Sequence, residues 1–75
     1  MPGPIEVRLN VVQRSTYMSA SCPEVPGLHV VGADQHEIRA VAMEAVKDLF
    51  LRNRGQQVEV APTDRPLVLR VLPLG

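Results

Sequence analysis

The chain has 75 residues, 45% of them apolar and 21% charged, with only one Tyr and one Phe, so one domain is the limit and its core must come from Val, Leu, Ile, Met and Ala. Eight basic and eight acidic residues cancel, which removes the whole-molecule field that draws proteins to nucleic acid or anionic lipid. One Cys excludes an internal disulfide, no apolar run reaches the ~18 residues of a membrane span, and the start does not read as a signal peptide. A soluble cytoplasmic protein without membrane or nucleic-acid partners is therefore expected, formed by residues 1–75 as a single domain. Crude accounting at this size sets apolar burial against about 1.5 kcal/mol of lost entropy per ordered residue and comes out near zero, so self-association would help.

Residues 5–12 alternate, with Ile5, Val7, Leu9 and Val11 on one side and Glu6, Arg8, Asn10 and Val12 on the other, which predicts a half-buried strand. A polar stretch over 13–16 follows. Met18, Ala20 and Cys22 then alternate with Tyr17, Ser19 and Ser21, so a hairpin is expected. Pro23 and Pro26 cannot donate to a sheet, and Val25-Pro26-Gly27-Leu28 suits a type II turn in which Gly27 supplies the positive φ. The chain reverses there, and residues 28–31 complete a three-stranded antiparallel meander.

Gly32 ends that strand, and Asp34 with Glu37 makes the acidic variant of a capping box. Ile38, Val41, Ala42, Ala45, Val46 and Leu49 recur at helical spacing, while Arg39, Glu44, Lys47 and Asp48 fall outside that stripe. The pattern predicts one long helix over 36–53, packed by this stripe on the meander, with Arg52 and Arg54 at its negative end and Gly55 as its stop. Beyond it, Val58 and Val60 alternate and residues 67–72 are apolar. One or two C-terminal strands follow, either as a hairpin or with the last run alone joining the sheet, and the second reading is adopted. The fold class expected is α+β.

Ser19-Ala20-Ser21-Cys22-Pro23-Glu24-Val25-Pro26-Gly27-Leu28, followed by Gly32-Ala33-Asp34-Gln35-His36-Glu37, resembles the HicB-like antitoxin family. That family places Pro, an acidic and an apolar residue, and Pro-Gly between its second and third strands, then a small or acidic cap before a helix with Glu in its first turn. The resemblance covers residues 5–53 and rests on Pro26, Gly27, Gly32, Asp34 and Glu37. It implies a reduced ribonuclease H-like fold without metal-binding carboxylates, and a module that neutralises a small messenger-RNA-cleaving toxin. Longer members add a DNA-binding module, and the residues after Gly55 are too few for a helix-turn-helix.

The acids divide between helix cap and solvated surface, so neither catalytic residues nor a metal or cofactor site is expected. Cys22, His29, Asp34 and His36 have ligand chemistry but no standard zinc spacing. Cys22 shares the apolar parity of Met18 and Ala20 and reads as a buried small hydrophobe. Arg39, Lys47, Arg52, Arg54, Arg65 and Arg70 are scattered, with only Tyr17 and Phe50 to stack on bases. Met43, Phe50 and Leu51 at the margin of the helical stripe, with Val12 on the outer face of the first strand, are the candidate interface. A homodimer that covers a small toxin-like partner is the first functional expectation. The alternatives are a self-assembling accessory protein without such a partner and a metal-dependent, nuclease-like enzyme.

Overall fold

The computed structural model describes residues 4–74. Strands β1 (Ile5–Arg8), β2 (Asn10–Gln13), β3 (Met18–Ser21) and β4 (His29–Gly32) precede helix α1 (Gln35–Arg54), and β5 (Val58–Pro62) and β6 (Val68–Pro73) follow it. The strands form two antiparallel sheets, in the orders β1-β6-β5 and β2-β3-β4. The protein is thus α+β, and the meander occupies the second sheet.

The strand expected over 5–12 is interrupted once, at Leu9. On its N-terminal side Val7 stands opposite Leu69, and on its C-terminal side Val11 stands opposite Ala20, so the segment changes partner, from β6 to β3, at that residue. Leu9 keeps its alternation and is buried, and its N–H donates to the carbonyl of Leu67 at 2.8 Å. A buried N–H has to find an acceptor, and this bond extends the β1–β6 pairing by one residue. A long twisted strand can serve different neighbours along its length, and here its two halves form an edge of each sheet.

Residues 58–62 and 68–73 form a hairpin, which corrects the expectation that only the last run joins a sheet. Its inward rows decide the matter. Val60 lies opposite Val71, which lies opposite Ile5, and Leu69 lies between Pro62 and Val7, so the alternation of β5 places Val58 and Val60 on the side that Leu69 and Val71 already bury. Thr63 fastens the connection, its hydroxyl donating to the carbonyl of Val68 at 2.8 Å.

Helix α1 begins at Asp34, whose carboxylate accepts the N–H of Glu37 at 2.9 Å, and ends at Gly55 with φ 62°. The Gly55 N–H donates to Leu51 and that of Gln56 to Phe50, which satisfies carbonyls of the last turn. Gly32 lies so close to the first turn that a Cβ on it would stand 3.2 Å from the Ile38 nitrogen. The buried line of the helix is Ile38, Ala42, Val46 and Phe50. The expected stripe is rotated by this line: Ala45 and Leu49 are half-buried, and Val41 is 42% exposed. The helix seals β3, β4 and β5 from one side, and the molecule measures 42 × 26 × 17 Å.

Candidate functional site

The residues that carried the family-like string are placed in the architecture. Pro26 and Gly27 occupy the centre of the turn, with the Leu28 N–H donating to Val25 at 3.1 Å and Gly27 at φ 89°, the value that the third position of a type II turn requires. The Asn53 amide donates to the Pro26 carbonyl at 3.4 Å and ties this turn to the far end of the helix. Asp34 caps the helix, and Glu37 reaches back to the Ala33 N–H at 3.4 Å, one residue before the position the sequence indicated.

The four candidate interface residues are not brought together. Phe50, expected at an exposed margin, is instead in the core at 5% exposure, with the Arg54 guanidinium 5.0 Å from its ring centre. Its aromatic area is the largest the helix can remove from water, which makes this orientation better than one that buries Val41. Met43 is half-buried against the same core. Val12 and Leu51 are about half exposed, Val12 on the outer face of β2 and Leu51 on the last turns of the helix.

Leu51 opens onto a groove of about 370 Å³ where the helix meets the start of β5. Glu44, Lys47, Asp48 and Leu51 form its helical wall, and Glu59 and Leu74 lie across from them. Leu51 and Leu74 are 50% and 49% exposed, so two large aliphatic side chains stand open in a lining that also holds three carboxylates and one ammonium. Asp48 is engaged by Arg52 at 3.0 Å, a solvated ion pair worth little to stability. Such a concavity, lined by exposed aliphatic and charged side chains, has the make-up of a small protein-binding surface. The sequence pointed to Leu51 but not to Leu74, which follows the apolar run after Pro73 and joins the groove because its N–H donates to the Gln57 carbonyl at 3.0 Å.

Cys22 lies at the base of the turn, buried, and its thiol donates to the Glu24 carboxylate at 3.2 Å. Burial, with that hydrogen bond second, pushes the thiol up to about 11, while the same bond holds Glu24 below the usual carboxylate range. The thiolate is therefore suppressed near neutral pH, and with it the reactivity of the sulfur. His29 is exposed on β4, and His36 is exposed in the first turn of the helix. Among the described residues no three His, Cys, Asp or Glu side chains are grouped as metal ligands would be.

No family model matches this chain, and neither the curated proteins nor the solved structures provide a match to it.

Proposed function

We propose that this chain is a non-catalytic binding module of the HicB-like antitoxin kind, working in the cytoplasm on a small messenger-RNA-cleaving toxin that it blocks by covering its surface. The observation that carries the reading is the groove in which Leu51 and Leu74 are held open by the end of α1 and the start of β5. Support for a reduced ribonuclease H-like frame comes from the meander, the Pro26-Gly27 turn, the Asp34 cap and the long helix, which occur in the order the resemblance implies. Four of the carboxylates have local partners, which favours binding over hydrolysis: Glu6 faces Arg70 at 3.8 Å, Asp34 caps the helix, Glu24 accepts from Cys22 and Asp48 from Arg52. Binding energy at such a surface concentrates in its few large side chains.

The test is to co-express the chain with the small protein encoded by the neighbouring reading frame and to follow both the complex and the cleavage of a transcript. Leu51→Glu should weaken the complex at least tenfold, on the order of 1.4 kcal/mol, and leave the fold stable to within about 0.5 kcal/mol because the side chain is half exposed. Failure of the native chain either to bind that protein or to protect the transcript would refute the proposal. A self-assembling protein without a toxin partner is the second reading, favoured by the uncharged outer face of the meander.

A further inference from the structure

We draw no further inference here: the strongest candidate, the groove around Leu51 and Leu74 where the end of α1 meets the start of β5, belongs to the site already described, and nothing in the structure shows what covers it.

Discussion

Cys22 links a local contact to a pH dependence. Its thiol is pushed up to about 11 in the folded chain from an ordinary value of 9.0, so the folded state holds a proton that the unfolded state has already lost between those limits. The stability this contributes is complete below about pH 9 and disappears as pH rises through about 11, amounting to on the order of 2 kcal/mol. Urea midpoints of the native chain and Cys22→Ala, taken near pH 8 and again near pH 11, should differ less at the higher pH. A gap that does not change with pH would show that the thiol is not kept protonated by the fold. Glu24 titrates in the opposite sense, its support being lost only as pH falls through its depressed value, and because it is exposed it shapes the acid limb little.

At the scale of an element, Phe50 and Leu51 are neighbours in sequence with opposite duties. The i, i+4 line from Ile38 ends on Phe50 in the core, and the next residue is rotated out to the groove. Phe50→Ala should cost about 3–5 kcal/mol, enough to threaten folding in a domain this small, whereas Val41→Ala on the exposed flank should cost under ~1 kcal/mol. Chemical denaturation measures both, and similar losses would mean that the buried line has been misplaced. The Arg54 guanidinium over the Phe50 ring adds about 0.5–1 kcal/mol, the low end of such contacts, because Arg54 itself stays exposed.

Across the whole molecule, the elements legible in the sequence are those written in nearest neighbours. The Pro26-Gly27 turn, the Asp34 cap, the Gly55 stop and the alternation of residues 5–12 each depend on residues a few positions apart. What the sequence did not reveal depends on distant partners. The break at Leu9 exists because Leu67 takes its N–H, the rotation of the helical stripe because Phe50 competes with Val41 for the same cover, and the groove because Leu74 returns beside Gln57. Edge character was partly legible: Val12 stood out by parity, but only the strand order shows that β2 and β4 are the outer strands of the meander. The pairing of Ile5 with Val71 also imposes a chronology on folding. Those strands come from opposite ends of the chain, so their encounter bears the greatest loop-closure penalty, whereas β3 and β4 are joined by one short bend. The meander can serve as the nucleus onto which the outer strands are recruited late. Val30→Ala should then slow refolding, while Val7→Ala should chiefly accelerate unfolding, and a stopped-flow experiment in which Val7→Ala retards refolding by its full equilibrium cost would reverse that chronology.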